Sequence, residues 1–123
     1  MRFFVVGLVF FATAFAAQAA TYTVHPDGSG DFPTIQAAMY AAHTGDVIQL
    51  GNGTFTGPGN RDLDTNETNI SLVSQSGNPA LCVIDCQGSS GAPHYGISYS
   101  TQGAATLLRG ITISNGYANP AGG

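Results

Sequence analysis

The residues best suited to chemistry lie in one short acidic stretch. Asp62, Asp64 and Glu67 fall within the loop from Asn60 to Asn69. Alternating carboxylates can ligate Ca²⁺, a hard cation that takes about six to eight oxygens. The stretch lacks the glycine-and-glutamate spacing of a dedicated calcium loop, and Arg61 offsets its charge. It reads as a solvated loop. Asp62 and Asp64 would also suit an acid and base pair for glycoside hydrolysis. Such a pair needs a cleft and a supporting group, and no histidine lies nearby in sequence.

Other side chains can be weighed in the same way. His94 and Tyr95, beside Pro93, have the ring character to stack on a sugar, although ligand pockets usually need several aromatic walls. Arg109 sits between a leucine and Gly110 with no acid cluster to tune it, so a structural turn role is expected. His43 reads as a surface residue in the last turn of a helix rather than a general base. Asp85, at the end of Val83-Ile84, reads as a turn-starter bonding its own backbone. Gly28-Ser29-Gly30 suggests a phosphate loop only superficially, since the third glycine and the lysine are missing. Cys82 and Cys86 are four apart. In a strand that spacing is about 13 Å, beyond the ~7 Å a disulfide spans, so two buried thiols on one face are expected; a disulfide would require the chain to be turning already at Asp85–Cys86. From the residues themselves, then, no catalytic, metal-binding or cofactor-binding site is assigned, the substrate-binding residues stay unknown, and the chain as given reads as non-catalytic.

Composition narrows the partners. Seven acidic side chains face three arginines and no lysine, for a formal charge of −4. Without a basic patch, nucleic acid and anionic membrane are poor partners. Arg2, the apolar run that follows, and Ala17-Gln18-Ala19 describe a secretory signal peptide over residues 1–19, cleaved before Ala20. The apolar run is shorter than the ~20 residues of a membrane span. A secreted or cell-envelope location is expected, with no transmembrane segment after cleavage.

Residues 20–123 then form one domain. Thr21–Val24 alternates as a strand does, and His25–Asp31 is a dense turn cluster. Asp31 is placed to cap a helix and Pro33 to occupy its first turn. Ile35, Ala38, Met39 and Ala42 give that helix one narrow apolar face, and Gly45 supplies a left-handed stop. Strand signals recur at 47–50, 54–56, 70–73, 82–85, 96–99, 106–108 and 110–113. Gln102–Ala105 reads as a turn. Val47, Ile70 and Ile97 recur every twenty-odd residues, as do Ile84 and Ile111, which is the mark of a repeat array. A solenoid of parallel strands is expected, with an antiparallel sandwich as the structural alternative. The 35–42 helix would cover the first coil, whose open edge is otherwise an aggregation hazard. The glycosylation-like Asn52, Asn66 and Asn69 read as turn residues. No comparable cap follows Ile113, so the chain is expected to be truncated at its C-terminus and able to self-associate through the open last coil.

The residues from Asp27 to Met39 (DGSGDFPTIQAAM), then GD-VIQL at 45–50 and GTFTG at 53–57, closely resemble the opening of pectin-lyase-like proteins. VIDCQG at 83–88 and LLRGITISNG at 107–116 resemble the next coil strands of that superfamily. The resemblance runs from about Tyr22 to Gly116. It implies an all-β fold, a right-handed parallel β-helix of about three coils with a short N-terminal capping α-helix. The same opening is shared by pectinesterases, pectate lyases and bacterial surface proteins with polymorphic repeats. In pectinesterases the catalytic glutamines, aspartates and arginine lie in coils beyond the GITISN-like segment, and pectate lyases place their calcium-binding acids and arginine on later coils. No residue here matches them. The resemblance therefore implies a secreted repeat scaffold that binds carbohydrate or presents a surface. The alternative is the non-catalytic front of a polysaccharide-acting enzyme.

Overall fold

A computed structural model describes residues 18–99 and 106–118, together with positions 7, 9, 12 and 13. Most of the leader read over residues 1–19, the turn read at Gln102–Ala105 and the last five residues lie outside the described residues. In chain order the elements are β1 (Thr21–Val24), α1 (Ile35–Ala41), β2 (Val47–Leu50), β3 (Gly53–Phe55), β4 (Leu63–Asp64), β5 (Ser71–Ser74), β6 (Cys82–Asp85), β7 (Ile97–Ser98), β8 (Leu107–Arg109) and β9 (Thr112–Ser114). They form three sheets with orders β1-β2-β5-β8, β3-β6-β9 and β4-β7. Every pairing of these strands is parallel. That excludes the antiparallel sandwich.

The chain visits the three sheets in rotation. From β2 it passes to β3 and β4, returns to the first sheet at β5, then repeats through β6 and β7 before β8 and β9. Parallel strands need a long crossover between them; α1 lies in the one between β1 and β2, and every later crossover consists of strands of the other two sheets. Side chains alternate in and out along each strand, so the parallel register stacks like positions into columns. Ile48, Leu72 and Leu108 form one inward column, and Phe55, Ile84 and Ile113 another. One buried cluster draws on all three sheets and on the helix, including Ile35, Met39, Leu50, Leu63, Cys82 and Cys86. Both cysteines are free and buried, although Cys86 lies just past the end of β6.

The register corrects the repeat spacing. Val47 pairs with Ser71 and Ser71 with Leu107, while Ile97 belongs to the third sheet opposite Leu63. Ile84 pairs with Ile113, not with Ile111. Turns of different length make the coils unequal, so matching apolar residues at a fixed spacing linked positions of different sheets. The 60–69 segment is likewise not all loop, because β4 lies within it.

The helix is where the apolar spacing put it, but its ends differ. Thr34, not Asp31, is the N-cap, its hydroxyl accepting from the Ala37 amide at 3.2 Å. Pro33 therefore precedes the cap. Asp31 is committed elsewhere, since its Oδ2 accepts from the Thr23 amide at 2.8 Å and hydroxyl at 3.1 Å. Buried Asn60 completes the cap, accepting from the Ile35 amide at 3.1 Å and donating to the Thr56 carbonyl at 3.1 Å. At the other end Ala42 is already extended, so His43 lies outside the helix. The Asp46 carboxylate causes this turn-off, accepting from the His43 amide at 2.8 Å and the Ala20 amide at 2.8 Å. Gly45 has a φ of +95° but opens the turn into β2 rather than ending the helix. The buried face of α1 packs on β1, β2 and β4, covering the first coil.

Candidate functional site

Stacking β7 on β4 brings together residues that are far apart in sequence. Leu63 pairs with Ile97, so the residues before each strand also face one another. The Asp62 amide donates to the Tyr95 carbonyl at 2.8 Å, and the Tyr95 amide donates back to Asp62 Oδ1 at 2.8 Å. His94 Nδ1 lies 2.6 Å from Asp62 Oδ2. Asp62 reaches this position with a φ of +51°, in the left-handed region that Asp tolerates better than most residues. Partial burial would raise the Asp62 carboxyl, but the Tyr95 and His94 hydrogen bonds and the nearby His94 and Arg61 charges hold it below its ordinary range.

A second set of bonds continues the cluster toward the last coil. Arg61 donates from one guanidinium nitrogen to the Cys86 carbonyl at 3.1 Å and to Gln87 Oε1 at 3.2 Å. Asp85 Oδ1 accepts from the Gln87 amide at 3.0 Å and from the Asn115 side-chain amide at 2.9 Å. Asp85 is thus the turn-starter the sequence suggested, with an added bond to the next coil. The Asn115 bond and the Gln87 bond hold its carboxyl below the ordinary value. Gln87 and Asn115 both turn with a φ of 52°. The His94 carbonyl accepts from the Tyr117 amide at 2.7 Å, close above Gly88, where any Cβ would collide with both. His94 therefore joins three successive coils.

An aspartate orienting a histidine is half of a general-base arrangement. The other half is missing among the described residues, where no hydroxyl or thiol is hydrogen-bonded to the His94 ring. The nearby Cys86 thiol is buried, and burial with the Asp62 and Asp85 charges pushes its pKa up, so it stays protonated. The geometry suits a clamp between coils.

The remaining sequence candidates are scattered. Asp64 closes a local turn through the Asn66 amide at 2.9 Å and exchanges backbone bonds with the Gln36 side chain, so it does not act with Asp62. Among the described residues no three His, Cys, Asp or Glu side chains converge on a cation position. Arg109 is an exposed residue of β8, and the turn begins only at Gly110, with a φ of +69°. Arg61 does not neutralise its own loop alone; it reaches the next coil. Gly28-Ser29-Gly30 belongs to a turn braced by Asp27, whose Oδ1 accepts from the Ser29 hydroxyl at 2.6 Å. No described helix is long and apolar enough to cross a membrane.

No family model, curated protein or solved structure matches the chain. The cluster therefore stands on its own geometry. Sequence reasoning missed the Asp62–His94 pair because it placed the two residues in unrelated loops. The usable signal was Leu63 and Ile97, each an apolar residue just after a polar turn and the seats of the third sheet.

Proposed function

We propose that the chain folds as a right-handed parallel β-helix of the pectin-lyase-like kind, capped at its first coil by α1. On this reading it is exported and serves as an extracellular or cell-surface repeat scaffold that binds carbohydrate or presents a surface. The observation that carries the proposal is the rotation of one chain through three parallel sheets with like side chains in columns. The strong preference of parallel crossovers for one hand supports the right-handed form. Bonds that run from coil to coil, such as Asp62–His94 and Asp85–Asn115, spend the best chemical groups on cohesion, which favours a scaffold. A second copy of the chain, meeting the β8–β9 edge, is the partner this reading adds to carbohydrate.

The purified protein, incubated with insoluble cellulose and with pectin, tests it. Adsorption with no release of sugar or of unsaturated uronate is expected. Release of product would replace the scaffold by the polysaccharide-acting enzyme. Failure to adsorb to either material would remove carbohydrate binding. Export is tested separately by fusing residues 1–19 to a reporter enzyme, and retention of the reporter in the cytoplasm would remove that part.

A further inference from the structure

A polar groove lies near the capped end, between the turn after β1 and the β2–β3 link. The turn is fixed from within. The Gly28 amide donates to the His25 carbonyl at 3.0 Å and the His25 amide to the Ser29 carbonyl at 3.1 Å. Asp27 Oδ1 accepts from both the amide and the hydroxyl of Ser29, at 3.0 and 2.6 Å. Asp31 ties the base of the turn to β1 through Thr23. The turn is also seated closely on the link. The His25 ring lies against Gly51 and the Pro26 ring against Gly53, and a Cβ at either glycine would collide with them.

The open groove so formed has a volume of about 340 Å³ and is lined by His25, Pro26, Asp27, Ser29, Asn52 and Gly53. That is near the lower end of the ~300–1,000 Å³ of small-molecule sites. Its polar groups have capacity to spare. Among the described residues neither the Asn52 side chain nor the His25 ring makes a hydrogen bond within the protein, and both Ser29 bonds end on one oxygen of Asp27. Asn52 is exposed and held between two glycines whose backbone the turn has pinned. A carboxylate oxygen, a side-chain amide and an imidazole line one groove together with the apolar C–H surface of a proline, the mix of polar groups and C–H contact that a sugar with adjacent hydroxyls can use.

We infer that this groove is a binding site for one unit of a neutral saccharide, with Asp27 accepting from its hydroxyls, Asn52 bonding to them in either sense, and Pro26 supporting the ring. The inference rests on the carbohydrate-binding reading above. A uronate is disfavoured because the Asp27 carboxyl, held low by its Ser29 hydrogen bonds, stays charged and no arginine or lysine lines the groove.

Amide spectra of the ¹⁵N-labelled protein, titrated with cellotetraose, mannotetraose and tetragalacturonate, test it. Shifts confined to residues 25–29 and 51–53, given by a neutral sugar, are expected. Asn52→Ala and Asp27→Asn should each weaken that sugar at least about tenfold. The Asp27→Asn variant retains an oxygen for Ser29, so the turn persists and only the carboxylate is lost. Shifts on another face, or unchanged affinity in both variants, would overturn this groove while leaving carbohydrate binding in place. Tighter binding of tetragalacturonate would overturn the neutral class. No binding of any of the three would overturn the groove and the carbohydrate reading together.

Discussion

The first and last described coils are built from the same inward columns and finish them differently. At the first coil, α1 lies over the column ends, and Ile35, Met39, Ile48 and Leu63 are all buried. At the last, β8 and β9 hydrogen-bond only to β5 and β6 among the described strands. Phe55 and Ile84 are 0% exposed, whereas Ile113, next in the same column, is 38% exposed. Ile84 and Ile113 are the same residue type in the same strand position. What differs is the coil that covers them. Burial in this molecule is supplied by the neighbour, as nearest-neighbour energetics of repeat proteins require.

The sharpest way to break that comparison is to remove the same side chain from both coils. Ile84→Ala leaves a hole with covered walls and should cost about 2–5 kcal/mol. Ile113→Ala removes partly hydrated surface and should cost only about 1 kcal/mol. Urea unfolding followed by circular dichroism measures both. Equal losses would mean that the gradient along the column has no energetic content.

The capped end can be attacked at its least replaceable polar group. Asn60→Ala leaves the buried Ile35 amide and the Thr56 carbonyl without their partner, and an unmade buried bond of this kind costs about 1–3 kcal/mol. Amide hydrogen exchange should then speed up first over 35–41 and in β1, while β8 and β9 exchange as before. Uniform acceleration would show that the cap is not a separable unit.

How much of this could be read from the chain depended on the range of the interaction. The helix face, the strands at 21–24, 47–50 and 82–85, and the buried thiols follow from local alternation and spacing, and they stand. The caps failed because Asp31 and Thr34 are equally plausible until Thr23, on another strand, claims one of them. β4 was invisible because a two-residue strand carries no period, and only its partner Ile97 defines it. With β4 went Asp62–His94, the centre of the candidate site. Register is a property of coils, and unequal turns hide it from any fixed repeat.

Acid loosens both ends by a smaller effect. Asp46, near the cap, is held below the ordinary aspartate value by the His43 and Ala20 amides, against the opposing effect of burial. Asp85, between the last two coils, is held below the same value chiefly by Asn115 and Gln87. A carboxyl lowered on folding stabilises fully above its unfolded pKa of about 3.9, and the benefit fades as pH falls from there through the folded value. Stability should therefore decline below about pH 4. Asp46→Asn and Asp85→Asn should each flatten part of that decline while leaving the slope above pH 6 alone, with ~pH 6 lying well clear of carboxyl titration. If neither variant changes the acid limb, the lowered values do not contribute to folding.

The smallest expected effect on stability tests the open edge directly. Leu107 is 46% exposed on β8, in register with Ser71 and with no strand beyond it among the described residues. Leu107→Lys should change unfolding stability by no more than about 0.5 kcal/mol, as exposed substitutions usually do. Lysine on an edge strand opposes pairing with another chain. Sedimentation velocity over a range of concentrations should accordingly show association of the native protein and none of the variant. Association that persists unchanged in Leu107→Lys would place the contact elsewhere. A native protein that stays monomeric throughout would mean that partial exposure of Ile113 and Leu107 is tolerated without a partner, and that the capped and open ends differ in burial but not in what they bind.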